Sequence, residues 1–276
     1  MSKVECNVCH HHCKLSENQI GLCNARSNTG EKIASVNYGE ITSIALDPIE
    51  KKPIRHFYPG SKILSVGSYG CNLKCPFCQN YEISTVGKNS IKTQYATPEN
   101  LIQIALDLIP RGNIGIAYTY NEPLVGYEFV RDCAVLARKN NLKNVVVTNG
   151  CFNEEILEEI LPYIDAFNID LKSFSDEFYN KMGGDFELVK NFIKLAHTKA
   201  HIEITTLIIP DENDSEKEMI SLSNFIASIN KDMPLHVSRF FPCYEMKEKK
   251  PTDVKKVYDL AHIARKKLNY VYEGNC

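Results

Sequence analysis

Residues 71–80 read CNLKCPFCQN, and this stretch decides how the rest of the chain is interpreted. Its three cysteines, Cys71, Cys75 and Cys78, have C-x3-C-x2-C spacing. A strand-like run at residues 63–66 leads into them, and glycines flank the turn. Thiolates at this spacing can all point at one iron–sulfur cluster, which usually has four cysteine ligands. The trio therefore predicts a [4Fe–4S] cluster with one open iron.

An open iron can bind something other than protein. A small molecule with amino and carboxylate groups, such as the methionine end of S-adenosylmethionine, would fit there. The alternatives are a zinc knuckle and three unrelated core thiols. A structural zinc site normally has four ligands, so a trio alone falls short of one. The strand-then-loop context favours the open cluster.

The aromatic residue between the last two cysteines, Phe77, completes a pattern that resembles the signature of the radical S-adenosylmethionine (radical SAM) superfamily. Gln79 and Asn80 resemble relatives of the pyruvate formate-lyase activating enzyme, and nearly the whole chain is similar to the radical enzymes of the AmmeMemoRadiSam system. The resemblance implies that one-electron reduction cleaves the cofactor to methionine and a 5′-deoxyadenosyl radical. That radical would abstract hydrogen from a small-molecule or protein substrate. Ferredoxin or flavodoxin would supply the electron, and Phe77 would brace the adenine.

Composition narrows the class of protein. The chain has 276 residues, 43% of them hydrophobic, which is enough for a sizeable core. A net charge of −2 argues against a dedicated nucleic-acid binder. No apolar run approaches the ~18 residues of a membrane span, and the start lacks the apolar region of a signal peptide. We therefore expect a cytoplasmic protein, in which eleven cysteines indicate metal or redox chemistry.

A Cys-rich, metal-binding leader is predicted at residues 1–30, where Cys6, Cys9, Cys13 and Cys23 cluster among few apolar residues. A segment with so few core residues needs a cross-link, such as a bound metal, to be ordered. Four thiolates can hold either zinc or an auxiliary [4Fe–4S] cluster, and the spacing does not choose between them. The alternative is a flexible, reduced arm.

The remainder divides into two parts. Residues 31–61 are predicted to form a β hairpin and linker, because two β-like runs, at 32–38 and 40–47, are separated by Gly39. In residues 62–276, short apolar runs alternate with amphipathic segments. The predicted strands are 63–66, 114–118, 144–147, 166–171, 202–209, 235–240 and a final run at 270–273, and the predicted helices are 98–109, 125–140, 153–162, 186–198, 215–230 and 252–268.

Strands that alternate with helices imply βαβ units and a parallel sheet. The fold class is therefore α/β: a partial (β/α)6 TIM-type barrel with a small Cys-rich N-terminal extension. In such barrels the active site lies at the carboxyl ends of the strands. The residues that end each strand are accordingly the candidates for cofactor binding.

The second and third strands end in polar residues. Tyr120, Asn121 and Glu122 follow the second strand, where the amide and carboxylate side chains could bind an ammonium group. Capping of the next helix is the alternative for Asn121 and Glu122. The resemblance assigns this position to the methionine amino group of the cofactor. Thr148 and Asn149 follow the third strand and could bind the cofactor or form a simple turn.

The fourth, fifth and sixth strands supply five further candidates. Asp170 and Lys172 lie on one face, either as a structural ion pair or in contact with the cofactor. Thr206 is a candidate for the wall against the adenine. His236 is either a core histidine or, as the resemblance implies, a cofactor contact. Arg239 could bind a carboxylate in bidentate fashion or pair with an acid.

The substrate is not visible in the sequence. A glycyl-radical activase would take hydrogen from a backbone glycine of a partner protein and would need an open barrel mouth. An enzyme acting on a small molecule would need a more closed pocket. A third interpretation, from another class, is an electron-transfer or metal-binding protein without catalysis.

Overall fold

The computed structural model describes residues 3–276. Within them the strands are β1 (Val4–Glu5), β2 (Lys14–Leu15), β3 (Arg26–Asn28), β4 (Ile33–Ser35), β5 (Glu40–Ile41), β6 (Ser43–Pro48), β7 (Lys62–Gly67), β8 (Gln94–Tyr95), β9 (Asn113–Tyr118), β10 (Lys143–Thr148), β11 (Ala166–Asp170), β12 (His201–Ile208), β13 (Leu235–Arg239) and β14 (Val271–Gly274). The helices are α1 (Tyr81–Ser84), α2 (Pro98–Asp107), α3 (Tyr127–Lys139), α4 (Glu154–Ile160), α5 (Asp176–Lys181), α6 (Phe186–Ala196), α7 (Glu216–Ile229) and α8 (Val254–Arg265).

The main sheet is an open barrel of eight strands in the order β14-β13-β12-β11-β10-β9-β7-β6. From β7 to β14 every pairing is parallel, and β6 closes the other edge antiparallel to β7. Helices cover the crossovers between the parallel strands. The predicted partial TIM-type barrel is confirmed: the predicted final run at 270–273 pairs in it as β14, and β6 adds an antiparallel strand at the other edge. Every carboxyl end of the parallel strands therefore faces the same rim.

The predicted hairpin in residues 31–61 is wrong. β4 pairs with β3 of the leader, β5 pairs with β8, and β6 pairs with β7. The apolar pattern indicated strands correctly, but it contains no information about partners that lie far along the chain. The leader is consequently built into the molecule through β3 and β4, rather than separated from the barrel by a linker.

Local signals begin two of the helices as the sequence suggests. The Thr97 side chain accepts a hydrogen bond from the Asn100 N–H, and the Asn100 side chain accepts one from the Thr97 N–H, which forms a capping box before Pro98. The Ser215 hydroxyl caps α7 by accepting from the Glu218 N–H. Such caps satisfy N–H groups that have no partner within the helix. They fix where the crossovers leave the sheet.

The amino end of the barrel is closed by the segment that follows β6. Its apolar side chains pack inside the barrel against residues from four strands, and the resulting cluster comprises Ile49, Ile54, Ile63, Ala117, Val145 and Ala166. This plug leaves the opposite, carboxyl rim as the open end. In residues 3–276 the helices are all too short or too polar to cross a membrane.

Candidate active site

The cysteine loop follows β7 at the carboxyl rim. Cys71, Cys75 and Cys78 are each partly buried there. Desolvation raises the pKa of Cys71, and it raises the pKa of Cys75 to about 12 although Lys172 opposes it. Thiolates are the ligands that iron binds, so loading the loop with metal would release protons. The three thiols are the donor set that a cluster with one open iron needs.

Glu122 is the buried carboxylate beside this loop. It accepts hydrogen bonds from the Thr148 hydroxyl at 2.8 Å, the Asn149 N–H at 2.8 Å and the Leu124 N–H at 3.1 Å. Burial raises the pKa of Glu122 to about 7, while these hydrogen bonds lower it. A carboxylate has about four acceptor positions, so one stays free for a further donor. Three predicted residues, Glu122, Thr148 and Asn149, thus meet at one place.

Asn149 connects that carboxylate to the cysteines. Its amide donates to the Asn72 side-chain oxygen at 2.9 Å and lies 3.8 Å from the sulfur of Cys71. Asn72 in turn donates to the carbonyl of Cys151 at 2.8 Å. Asn72 was not predicted as a site residue, although its place inside the C-x3-C loop was a signal. The two asparagines tie the loop to the end of β10.

Asp170 and Lys172 form an ion pair at 2.6 Å, which agrees with the structural alternative for them. Burial alone would lower the pKa of Lys172, but Asp170 and the thiols of Cys75 and Cys78 raise it. The ammonium therefore lies in the field of the cysteine loop. Tyr179, which was not predicted either, accepts from the Lys172 N–H at 3.0 Å and fixes this strand end.

Two candidates after β9 act on the backbone or on a neighbouring strand instead of facing open space. The Asn121 side chain accepts from the Ser68 N–H and donates to the carbonyls of Tyr69 and Gly70. Its amide is therefore committed to the turn before the cysteines, and the predicted ammonium contact is corrected to a structural role. The Tyr120 hydroxyl donates to Asp47 at 2.8 Å, so this ring is committed to β6.

Two candidates on the later strands face outward. Thr205 lies inside the barrel, where its hydroxyl donates to Asn168 at 3.0 Å. Side chains alternate along a strand, so Thr206 faces the helices and cannot line a pocket inside the barrel. Arg239 is likewise on the outer face and donates to the Thr252 carbonyl at 2.7 Å. The predictions that they contact the cofactor are therefore wrong.

His236 belongs to a second polar cluster, nearer the amino ends of the strands. Its ring lies 2.6 Å from Glu203, which is fully buried. Glu203 also contacts His201 at 3.0 Å and accepts from the backbone N–H groups of Arg55 at 2.8 Å and His56 at 2.7 Å. We call these five residues the lower network. The structure thus gives His236 a protein partner away from the cysteine loop.

Phe77 is 4% exposed and packs near Phe178, with ring centroids 6.0 Å apart. This contact fixes the ring in the wall of the site. Its role against the adenine stays a prediction. Among residues 3–276, no three His, Cys, Asp or Glu side chains form a group with the geometry of a single-ion site.

Fold and site together define an open (β/α) barrel protein, in which three cysteines follow the first parallel strand. The model of the radical SAM superfamily matches residues 65–222. The chain is 39% identical, over 99% of its length, to an uncharacterized protein of Methanocaldococcus jannaschii, of which it covers 82%. The chain therefore belongs to the radical SAM superfamily and is an enzyme of that class. The family implies a [4Fe–4S] cluster and S-adenosylmethionine, and the thiols of the loop fit it.

Further relatives carry activating-enzyme names. The 4-hydroxyphenylacetate decarboxylase activating enzyme of Clostridioides difficile is 23% identical over 67% of this chain, which spans 60% of that protein. A domain of a pyruvate-formate lyase-activating enzyme from Bacteroides vulgatus has the same fold, with a TM-score of 0.51 at 19% identity, covering 58% of this chain and 99% of that domain. The protein is thus related to the pyruvate formate-lyase activating enzyme.

Proposed function

We propose that this enzyme cleaves S-adenosylmethionine reductively at a [4Fe–4S] cluster held by Cys71, Cys75 and Cys78, and abstracts hydrogen from a substrate. One observation carries the proposal: the three thiols share the open rim with a buried carboxylate, Glu122, and a partly buried ammonium, Lys172. When bound, the cluster and cofactor supply a 5′-deoxyadenosyl radical. We expect ferredoxin or flavodoxin to donate the electron.

The protein's own residues do the positioning. Three thiolates add negative charge to the rim, and Lys172 offsets part of it. Glu122 keeps one acceptor position for the methionine ammonium, and that cation favours the ionised carboxylate. Its three hydrogen bonds hold the carboxylate in one orientation, so little reorganisation is needed when the cofactor binds. Phe77 and the buried strand ends restrict water near the reacting atoms.

Cofactor cleavage is the direct test. Protein reconstituted with iron and sulfide under anaerobic conditions is reduced and supplied with S-adenosylmethionine, and 5′-deoxyadenosine and methionine are measured by mass spectrometry. We expect both products from the wild type and neither from Cys75→Ala. Absence of both from wild type that carries a full cluster would overturn the proposal.

A second candidate concerns the substrate: the enzyme activates a glycyl-radical enzyme. What favours it is that several relatives are named as activating enzymes, including that of pyruvate formate-lyase in Staphylococcus epidermidis. A protein substrate and a small-molecule substrate differ in where the abstracted hydrogen comes from. Extract from deuterium-grown native cells can be separated into macromolecular and small-molecule fractions and offered to the enzyme.

The mass of the 5′-deoxyadenosine then identifies the donor fraction. Deuterium from the macromolecular fraction, with the electron paramagnetic resonance (EPR) doublet of a glycyl radical, is the result expected for an activase. Deuterium from the small-molecule fraction alone would reject the activase and leave the cleavage reaction intact.

A further inference from the structure

The leader contains a second set of thiols that the proposed reaction does not use. Cys6, Cys9, Cys13 and Cys23 line one small cavity, and the cavity surface that they share is apolar. Three of the four are buried. Four cysteines that surround one space, in a chain without a disulfide among its described residues, form a set of soft donors.

The cavity wall also contains a cation with a free donor. Arg26 is only 4% exposed and lines the same cavity. Its two terminal nitrogens bind Glu128, at 2.6 and 2.9 Å, and Val125, at 3.1 Å. Its Nε has no hydrogen-bond partner among residues 3–276. A buried donor without an acceptor is costly, and a nearby thiolate would satisfy it.

The leader is held firmly against the barrel, which contradicts a flexible arm. The Cys71 N–H donates to the Cys23 carbonyl at 3.1 Å, and His11 donates to the Asn72 carbonyl at 2.8 Å. On the other side, the Asn153 N–H donates to the Val8 carbonyl at 3.2 Å. The four thiols are thus fixed beside the cysteine loop although the leader has few apolar residues.

We propose that Cys6, Cys9, Cys13 and Cys23 hold a second metal centre with four thiolate ligands, one of which accepts a hydrogen bond from the Nε–H of Arg26. Within residues 3–276 these thiols lack the spacing of a single-ion site, and so do those of the cysteine loop, for which the family implies a cluster. Both zinc and a [4Fe–4S] cluster accept four cysteines, and the thiols would have to rearrange to hold a single zinc ion. The centre would fix the conformation of the leader, which contacts the cysteine loop through the hydrogen bond from the Cys71 N–H to the Cys23 carbonyl.

Metal analysis of the full chain tests this proposal independently of catalysis. The first variant combines Cys71→Ala, Cys75→Ala and Cys78→Ala, and the second combines Cys9→Ala and Cys23→Ala. After anaerobic purification with both metals supplied, iron, sulfide and zinc are counted per chain. The first variant should keep about one zinc or about four irons with sulfide, and the second should lose that amount relative to wild type.

Zinc and iron–sulfur outcomes both support the site and identify its metal. The site is rejected if the Cys9 and Cys23 change leaves the metal content at the wild-type value. Should the triple variant fail to fold, the comparison of the second variant with wild type still decides. Free-thiol reactivity of all four leader cysteines in native wild type would also overturn the proposal.

The role of Arg26 has its own measurement, the rate at which a chelator removes the leader metal. Combining Arg26→Gln with Glu128→Gln removes the Nε donor together with the carboxylate that pairs with Arg26, and Glu128→Gln alone, which keeps the donor, is the control. We expect loss about 10–100-fold faster in the double variant, as for other residues that support metal ligands. Equal rates in the double variant and wild type would contradict the proposed hydrogen bond from Arg26.

Discussion

The barrel contains two buried polar clusters, one near each end, and they differ in how completely the protein satisfies them. In the lower network, Glu203 is surrounded by two imidazoles and two backbone N–H groups. At the open rim, Glu122 has three donors, all from neighbouring loops and strands, and stands beside the thiols of the cysteine loop. A polar cluster whose groups all have partners stabilises the fold. At the rim, Glu122 still has an acceptor position that no donor among residues 3–276 fills.

The pKa values reflect this difference. Burial raises the pKa of both carboxylates, but the two imidazoles and the His56 N–H bring the pKa of Glu203 to about 2. For Glu122 the three hydrogen bonds do not offset burial, and its pKa is about 7. When the hydrogen bonds from the protein do not offset the cost of burying a carboxylate, an added cation would stabilise its ionised form. We therefore assign structure to the lower network and binding to the rim.

The largest expected effect comes from removing a cluster ligand. Cys75→Ala should abolish cofactor cleavage and lower bound iron, because the remaining two thiols of the loop cannot hold a cluster. Iron content and 5′-deoxyadenosine formation are measured together. Cys243→Ala is the matched control: this thiol is near the loop and donates only to the Phe77 carbonyl. Cofactor cleavage by the Cys75→Ala variant would contradict the assignment of cluster and cofactor binding to the rim.

Glu122→Gln should weaken binding of S-adenosylmethionine about 10–100-fold, since a hydrogen bond to a charged group contributes about 1.5–3 kcal/mol. Equilibrium binding to the reconstituted protein measures it. The same substitution in the lower network, Glu203→Gln, is the control and should leave this affinity unchanged. If both substitutions weaken binding equally, the two clusters do not have separate roles.

These roles were only partly predictable from the sequence. The C-x3-C-x2-C loop and Glu122 are encoded locally, at strand ends whose positions follow from the βα rhythm. The contacts that fix them are not local: Asn149 meets Asn72 across 77 positions of the chain. The same limit explains the hairpin error in residues 31–61, where strands were recognised but their partners were not.

The other two wrong predictions, for Thr206 and Arg239, arose because successive side chains along a strand point to opposite faces of the sheet. Residue type alone made Thr206 and Arg239 attractive as contacts, but both lie on the face that packs toward the helices. His236 does face inward, but it is the second residue of β13 and therefore lies near the amino end of the barrel. There it contacts Glu203, which also accepts hydrogen bonds from the backbone of Arg55 and His56. An inward residue is thus a site residue only if it also lies near the rim.

Stability should respond to the lower network more than to the rim. Glu203→Gln leaves two histidines, His201 and His236, without their carboxylate, and we expect a loss of about 2–3 kcal/mol in the free energy of unfolding. The unfolded pKa of Glu is about 4.3. Because the folded pKa of Glu203 is about 2, its contribution is complete above the unfolded value and is lost as the pH falls toward 2.

Denaturant unfolding of the metal-free protein between pH 7 and pH 3 measures this contribution. The difference between wild type and Glu203→Gln should be constant above about pH 5 and shrink below about pH 4. A difference that grew on acidification would show that Glu203 is protonated in the folded chain. The lower network would then need another explanation for its stability.

The smallest effect is expected at Arg239, which lies outside both clusters. Arg239→Met removes one hydrogen bond, to the Thr252 carbonyl, and the contact of the guanidinium with the Phe241 ring, whose centroid lies 4.8 Å away. We expect a loss of about 0.5–1.5 kcal/mol in the free energy of unfolding, with unchanged affinity for S-adenosylmethionine. Affinity reduced as much as in Glu122→Gln would place Arg239 at the cofactor, against its outward position. An unchanged affinity would agree with the outward position of Arg239, where its side chain donates to the Thr252 carbonyl.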